Sequence, residues 1–190
     1  MKIIVWLRRD LRLRDNTALF NACGDAEKIY PLYIYSPEEE TPWQPGAASK
    51  WWLHYSLEAF SKSLKGKGSK LIIREGNSLE TLLELSAELK ADAIYWNRLY
   101  EPKLATRDEK IEKRLEKEGV EIKSFRANLL CEPWEIKNNS GNCFKVFTPF
   151  WKKLKSEYNR KPLSIPRNIP SPSRFPSSDK LDLLPEIAWD

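Results

Sequence analysis

Apolar positions in the first 125 residues alternate between short β-type runs and longer segments with helical spacing. The short runs are rich in Ile, Val and aromatic residues, and they predict strands over 2–7, 28–35, 70–74, 92–96 and 120–125. Apolar residues three and four positions apart predict four helices between and after the first strands, over 17–23, 48–64, 79–89 and 102–118. This alternation is typical of βαβ units.

The ends of these helices carry recognisable signals. Asp15 is predicted to cap the first helix and Gly24 to end it, while Asn77, three residues before Glu80, approximates a capping box. Strands that alternate with helices require right-handed crossovers. The sequence therefore predicts an α/β fold of the Rossmann-like, doubly wound type, with a five-stranded, mainly parallel sheet and helices on both faces.

A ligand of such a fold is expected at the carboxyl ends of the strands, near the topological switch point. The segments that follow strands one, two and four lie there, and they are aromatic and cationic: residues 6–16, 33–40 and 95–102. A flat, anionic heterocycle suits such a wall through stacking and charge-assisted hydrogen bonds. An ion-pair lattice, in which Asp10, Asp15 and Glu101 neutralise Arg8 and Arg9, is the alternative interpretation.

Several common chemistries are not indicated by this sequence. Neither GxGxxG after the first strand nor GxxxxGK[ST] occurs, and His54 is the single histidine. A Ser-His-Asp triad or a two-histidine metal site is therefore not predicted, and we expect no catalytic and no metal-binding residue in this chain. Of the tryptophans, Trp6, Trp96, Trp134 and Trp151 are predicted to pack. Either Trp51 or Trp52 is expected to cover the cleft or to face a domain outside this chain.

Composition narrows the class of protein. The 190 residues are 41% hydrophobic and include three cysteines, the mean hydropathy is −0.59, and no uncharged apolar run approaches 18 residues, so a membrane span is not predicted. The amino terminus resembles no secretory signal, and the cysteines have unrelated spacings. We therefore expect a cytoplasmic protein with reduced thiols.

The net charge of +5 is unevenly distributed. Residues 151–176 hold seven of the 32 lysines and arginines against one acid, Glu157, so the remainder of the chain is almost balanced and no broad DNA-binding face is expected on it. The same region contains five prolines between 162 and 176, after a polar turn at 138–142, an aromatic strand-like piece and a short basic helix. We predict an α/β domain over 1–160 and an interdomain linker over 161–190, leading to a domain outside this chain.

Five motifs together carry a family resemblance. They are WLRRDLRLRDN at 6–16, Tyr35-Ser36-Pro37, YWNRLYEP at 95–102 with TRD at 106–108, FKVFTPFWK at 144–152 and LLPEIAWD at 183–190. In this order and spacing they resemble the DNA photolyase/cryptochrome family. The resemblance implies the family's amino-terminal antenna domain, followed by a linker toward a helical domain that holds flavin adenine dinucleotide (FAD) and lies outside this chain.

The resemblance also implies a function. In this family, light absorbed by an antenna chromophore passes to the reduced flavin, which donates an electron to a pyrimidine dimer flipped out of DNA. The chain is accordingly expected to be the light-harvesting domain of a deoxyribodipyrimidine photo-lyase, a carbon–carbon lyase, and to be inactive by itself. Its expected partners are the helical FAD-binding domain of the same polypeptide and, through that domain, damaged DNA. We expect no association with a membrane, and we expect the protein to be a monomer.

Two other functions compete with this expectation. A cryptochrome-type blue-light signalling module would carry the same amino-terminal domain. A stand-alone nucleotide-binding α/β protein would need a glycine-rich loop after strand four, which residues 98–102 do not provide.

Matching positions in the family imply a set of antenna-site residues. They are Arg8, Ile34, Tyr35, Ser36, Lys50, His54, Asn97, Leu99, Glu101, Lys103 and Arg107. The implied dye is 8-hydroxydeazaflavin, methenyltetrahydrofolate or flavin mononucleotide (FMN). Lys103 and Leu104 stand where folate-binding relatives carry an acidic motif, and Leu99 and Ser36 stand where deazaflavin-binding relatives tend to carry acids. The dye's identity therefore stays open, and a protein without any antenna dye is a further alternative.

Overall fold

A five-stranded sheet forms the centre of the computed structural model, which describes residues 1–158 and 160–185. The strands are β1 (Lys2–Leu7), β2 (Lys28–Tyr35), β3 (Ile72–Glu75), β4 (Ala93–Asn97) and β5 (Glu121–Phe125). They lie in the order β3-β2-β1-β4-β5, and every adjacent pair is parallel. The predicted doubly wound fold is confirmed, with the first two strands at their predicted bounds and the others shifted by one or two residues.

Helices cover both faces of the sheet. They are α1 (Thr17–Asp25), α2 (Ala47–Lys65), α3 (Ser78–Leu89), α4 (Pro102–Lys117) and α5 (Phe147–Glu157), with a 3-10 turn at Pro37–Glu40. Because successive strand residues point to opposite faces, Val5 packs with α1 and α2, whereas its neighbour Trp6 packs with α3 and α4. Among the residues that the structure describes, no helix combines the length and apolar character needed to cross a bilayer.

The start of α1 differs from its prediction. Asn16, not Asp15, is the N-cap, because Asn16 has the extended backbone of a cap and its side chain accepts a hydrogen bond from the Leu19 amide. Asp15 lies in the left-handed region with φ of 52°. Gly24 does not end the helix, which continues to Asp25. By contrast, Asn77 caps α3 as predicted, since its side-chain oxygen accepts from the amides of residues 79 and 80 at 3.0 and 3.2 Å.

The region before α5 contains a turn but no strand. The side chain of Asn138 accepts hydrogen bonds from the amides of Ser140 and Asn142, which confirms the predicted turn. The aromatic residues 144–146 were expected to be strand-like and are not, because they pair with no strand of the sheet. The packing prediction for Trp134 and Trp151 is also wrong: Trp134 is exposed in a turn after β5, and Trp151 is exposed on α5, which buries only Leu154.

Residues 160–185 form an extended segment, called the strap below. It contains no helix or strand, as its prolines predict, yet it packs against the α/β unit. The Ile29 amide donates to the Pro170 carbonyl at 2.7 Å, the Asp179 amide donates to the Ile73 carbonyl of the edge strand at 2.9 Å, and Ile169 is buried in the core. The domain boundary at 160 stays a prediction, and residues 186–190 of the LLPEIAWD motif lie outside the described residues.

Candidate functional site

Two neighbouring cavities open at the carboxyl ends of the strands. The smaller, the tip cavity, has a volume of about 70 Å³ and is lined by Trp6, Arg8, Arg9, Tyr33, Ile34, Tyr35, Ser36, Pro37, Glu40, Pro45, Leu53, Ser78, Leu99, Leu104 and Arg107. The larger, the α2 groove, has a volume of about 890 Å³ and runs between α2 and the loop after β1. Arg8, Arg9, Tyr33 and Leu53 belong to both walls.

Arg8 is held in place from several directions. Its guanidinium forms a buried ion pair with Asp108 and donates to the Asn97 carbonyl. The guanidinium carbon lies 4.5 Å from the ring centre of Trp6, within the range of a cation–π contact. Burial lowers the pKa of Arg8, while the charge of Asp108 opposes that shift. The side chain is therefore a fixed part of the site.

A second arginine extends this pair into a cluster. Arg107 donates to Asp108 at 2.7 Å and to Glu39 at 2.9 Å, and its guanidinium carbon lies 5.1 Å from the ring centre of Trp6. We call Arg8, Arg107, Asp108 and Glu39 the tip cluster. Two positive and two negative groups make the tip cluster electrically neutral, which is the condition under which ion pairs tolerate burial.

Arg9 takes part in a more exposed pair of contacts. It binds Glu101 and, at 3.5 Å, Glu40. The ion-pair lattice considered from sequence is thus present, with Glu101 as a partner of Arg9. Arg8, however, forms its ion pair with Asp108, and the nearby charge of Asp10 also opposes the lowering of its pKa. The sequence contains an indication of this role, because Asp108 is an acidic residue on the face of α4 that also carries the buried residues Leu104, Ile111 and Leu115.

Asn97 braces the site from below. Its side-chain amide donates to Asp10 and, at 2.8 Å, to Asn16, and its oxygen accepts from the Ala18 amide at 2.9 Å. Asn97 is fully buried and belongs to neither cavity wall. The residue ties the end of β4 to the start of α1, so it supports the site without facing a ligand there.

The structure brings together about half of the expected antenna-site residues. Six of them line the tip cavity: Arg8, Ile34, Tyr35, Ser36, Leu99 and Arg107. Glu101 and Lys103 lie at two adjoining depressions on the same edge of the sheet. Lys50 and His54 are half-buried on α2 and line neither cavity. Other residues of that helix do so, notably Trp52 and Leu53.

The α2 groove has a cationic wall and an aromatic one. Arg12 and Arg14 come from the loop after β1, and within the described residues neither forms an ion pair, although Arg12 donates to the carbonyls of Asp15 and Ala127. Trp52 lines the opposite wall and is 71% exposed, whereas Trp51 packs against Tyr55 with ring centres 4.6 Å apart. The prediction that these neighbours face different directions is confirmed, and Trp52 is the one at the cleft.

Size separates the roles of the two cavities. Small-molecule sites typically measure about 300–1,000 Å³, a range that includes the α2 groove at about 890 Å³. The tip cavity, at about 70 Å³, is far smaller than this range. A planar, anionic molecule therefore fits the groove, through stacking on Trp52 and hydrogen bonds from the arginines.

Comparison with known proteins identifies relatives of this chain. The DNA photolyase family model matches residues 3–172. A deoxyribodipyrimidine photo-lyase of Agrobacterium fabrum is 37% identical over 187 residues, and cryptochrome-2 of Arabidopsis thaliana is 40% identical over 153 residues. These alignments cover 96% and 80% of this chain but only 38% and 25% of the two relatives.

The fold has a close counterpart among solved structures. A bacterial class III photolyase from Agrobacterium tumefaciens superposes with a TM-score of 0.89 at 36% identity. The superposition covers 97% of this chain and 38% of that protein. The similarity thus extends over almost the whole of this chain.

Proposed function

Because this chain belongs to the DNA photolyase family, we propose that it is the light-harvesting domain of a deoxyribodipyrimidine photo-lyase. The observation that carries the proposal is the α2 groove, which is large enough for a planar dye and joins the exposed Trp52 to an arginine-lined wall. The groove lies at the carboxyl ends of the parallel strands, where α/β folds bind their ligands.

The residues of the chain give a bound dye position and orientation. Trp52 offers a flat face on which a heterocycle stacks, and Arg12 and Arg14 attract its acidic groups. Ion pairing fixes Arg8 at the inner end of the groove, so this side chain is already in position when a ligand arrives. The dye itself would supply light absorption, and energy transfer needs a fixed dye orientation but no proton transfer.

The dye belongs to a small set of chemical classes. The donors along the groove suit an acidic heterocycle, which includes 8-hydroxydeazaflavin, methenyltetrahydrofolate and FMN. We propose that one of these is the antenna chromophore and that it occupies the α2 groove, with the tip cavity at the groove's inner end. The residues proposed to contact it most closely are Trp52, Arg14 and Tyr33.

The remaining activity belongs to a longer protein. The chain spans 38% of the length of the Agrobacterium photo-lyase that it matches. We propose that a helical domain in the rest of the polypeptide binds FAD and contacts damaged DNA, so that light collected at the groove drives repair of cyclobutane pyrimidine dimers there. The whole protein is proposed to act as a cytoplasmic monomer, and this chain alone is proposed to be inactive in repair.

A signalling role is the second candidate function. It is favoured by the 40% identity with Arabidopsis cryptochrome-2, which covers 80% of this chain. A cryptochrome-type protein would use the same groove for light collection and couple its flavin domain to a partner protein. Light-dependent dimer repair by the longer polypeptide distinguishes the two, because only the photo-lyase would restore intact pyrimidines.

Titration of the purified chain with the three dyes tests the light-harvesting proposal. Visible absorption and fluorescence are followed for each dye, and saturable 1:1 binding of one of them, with quenching of tryptophan fluorescence, is the expected result. Failure of all three dyes to bind this chain and the longer polypeptide would contradict the proposal.

A further inference from the structure

An anion site at the start of α3 is filled by a side chain of the protein itself. The Glu39 carboxylate accepts hydrogen bonds from the Ser78 amide at 2.7 Å, from the Ser78 hydroxyl at 2.8 Å and from Arg107 at 2.9 Å. A backbone N–H at a helix N-terminus, a hydroxyl and an arginine form a donor set that binds carboxylates and phosphates. Glu39 therefore occupies the place of an external oxyanion.

Glu39 comes from a short element that few contacts hold in place. It lies in the 3-10 turn Pro37–Glu40, which buries none of its own residues. Besides the contacts of Glu39, the turn and its flanking residues are held by the Ser36 hydroxyl, which contacts Gly76 and Ser78, by the Arg9–Glu40 contact and by a hydrogen bond from Lys103 to the Thr41 carbonyl. The turn is thus attached through polar side-chain contacts, and those of Glu39 are ones that an incoming anion is able to replace.

Two buried donors at the same place lack partners. Trp6 Nε1 and Arg8 Nε form no hydrogen bond within the described residues, and both side chains are more than nine-tenths buried. Both residues line the tip cavity together with Ser78 and Arg107. Buried donors without a partner are rare in native proteins, and a molecule that brings acceptor atoms to this cavity is the partner that we infer for them.

Charge balance determines which molecule is able to enter. While Glu39 is bound, Arg107 contacts two carboxylates, and withdrawal of Glu39 leaves Arg8 and Arg107 to share one ion-pair partner, Asp108, within the described residues. Because a largely buried arginine that loses one of its two carboxylate contacts is destabilised, the turn opens at low cost only when another anion replaces the carboxylate. A neutral ligand offers no such compensation.

We propose that Glu39 is an exchangeable plug of an oxyanion site formed by Ser78 and Arg107, and that a phosphate or carboxylate group displaces it and opens the tip cavity toward the α2 groove. The identity of the natural occupant rests on the proposed function, in which the acidic group belongs to the dye. The site itself is defined without reference to a dye, since its donors are those that Glu39 now uses.

Inorganic phosphate, titrated by calorimetry in the absence of any dye, tests the plug directly. Glu39→Gln removes the competing charge but keeps the side-chain length, so the phosphate Kd is expected to fall at least tenfold relative to the wild type. Glu38→Gln is the matched control, because Glu38 lies in the same turn and is exposed, and its side chain accepts no hydrogen bond within the described residues. Adding Ser78→Ala to Glu39→Gln is expected to cancel most of the gain.

The outcomes separate the plug from ordinary surface electrostatics. Equal gains in the Glu38 and Glu39 variants, or no gain in a folded Glu39→Gln protein, would overturn the proposal. If Glu39→Gln does not fold, Glu39→Asp decides the question, since its shorter carboxylate is expected to give a smaller gain of the same sign, and no gain would overturn the proposal.

Two further measurements show where the anion displaces Glu39 and whether the anion is a group of the dye. Hydrogen exchange of the wild-type chain is expected to speed up at residues 38–41 when phosphate is added. FMN is expected to show the same dependence on Glu39, whereas riboflavin, which lacks the phosphate, is expected to show none. Phosphate exchange without dye binding would leave the plug intact while contradicting the light-harvesting proposal.

Discussion

Arg8 and Asp108, one hundred residues apart in the chain, form a buried ion pair that joins the loop after β1 to α4. This contact connects the two halves of the doubly wound sheet at the switch point, because β1 and β4 are neighbours there. It also gives Arg8 a structural role in addition to its place in both cavity walls. Substitutions of Arg8 therefore change stability and ligand binding together.

Replacing Asp108 by Asn should strongly destabilise the fold. The substitution leaves the buried guanidinium of Arg8 without its carboxylate, which costs about 3–5 kcal/mol in comparable buried pairs. Glu101→Gln is the matched control, because its pair with Arg9 is about half-exposed and such pairs contribute about 0–1 kcal/mol. Urea unfolding of both variants measures the difference, and equal losses would show that the Arg8–Asp108 pair is not the critical contact.

Shortening Ile169 tests whether the strap is part of the α/β unit. Ile169 is 2% exposed and packs in the core on the α1 and α2 side of the sheet, so Ile169→Ala should cost about 2–5 kcal/mol. Ile165, on the same strap, is 45% exposed, and Ile165→Ala should change stability by less than about 1 kcal/mol. A loss as small for Ile169 as for Ile165 would mean that the strap does not dock in solution.

Alkaline pH should destabilise the protein through its tyrosines. Burial, together with the neighbouring Glu132, raises the pKa of Tyr100 to about 12, and burial also raises the pKa of Tyr33 and Tyr95. The folded state then holds these phenol protons more tightly than the unfolded state, whose tyrosines titrate near ~10. By linkage, the free energy of unfolding is unaffected well below pH 10 and falls as the pH rises from about 10 to 12.

Phenolate absorbance measures this effect. In the native protein a share of the seven tyrosines should stay protonated at a pH where urea-unfolded chains are fully ionised. Tyr100→Phe should lessen the alkaline loss of stability, because it removes one of the affected groups. Coincident titration curves for the native and the unfolded protein would contradict the prediction.

The sequence was most informative where local pattern and burial agree. β1 and β2 were predicted at their observed bounds, because their apolar, β-branched runs are buried on both faces of the sheet. Asn77 was identified as a cap from its position alone, since capping depends on the next three residues. Asp15 was misassigned because its carboxylate is recruited by the strap, where the Leu163 amide donates to it, and that contact is not local.

The site was harder to predict for the same physical reason. Asp108 and Glu39 neutralise the arginines of the tip cluster, yet each lies more than 30 residues from Arg8 in the chain. The α2 groove arises from the distance between a helix and a loop, which no periodic pattern encodes. The sequence narrows the choice of the tryptophan at the cleft to Trp51 or Trp52, because adjacent helix positions point about 100° apart. Only the structure shows that Trp52 is the one.

The most direct test of the light-harvesting account is the dye affinity of Trp52→Ala. Trp52 lines the α2 groove and is largely exposed, so its removal should weaken binding of the dye about tenfold or more without lowering the melting temperature. Trp134→Ala removes another exposed indole outside the groove and should leave the Kd unchanged. Unchanged affinity in Trp52→Ala, with saturable dye binding intact, would show that the dye binds elsewhere and would contradict the account.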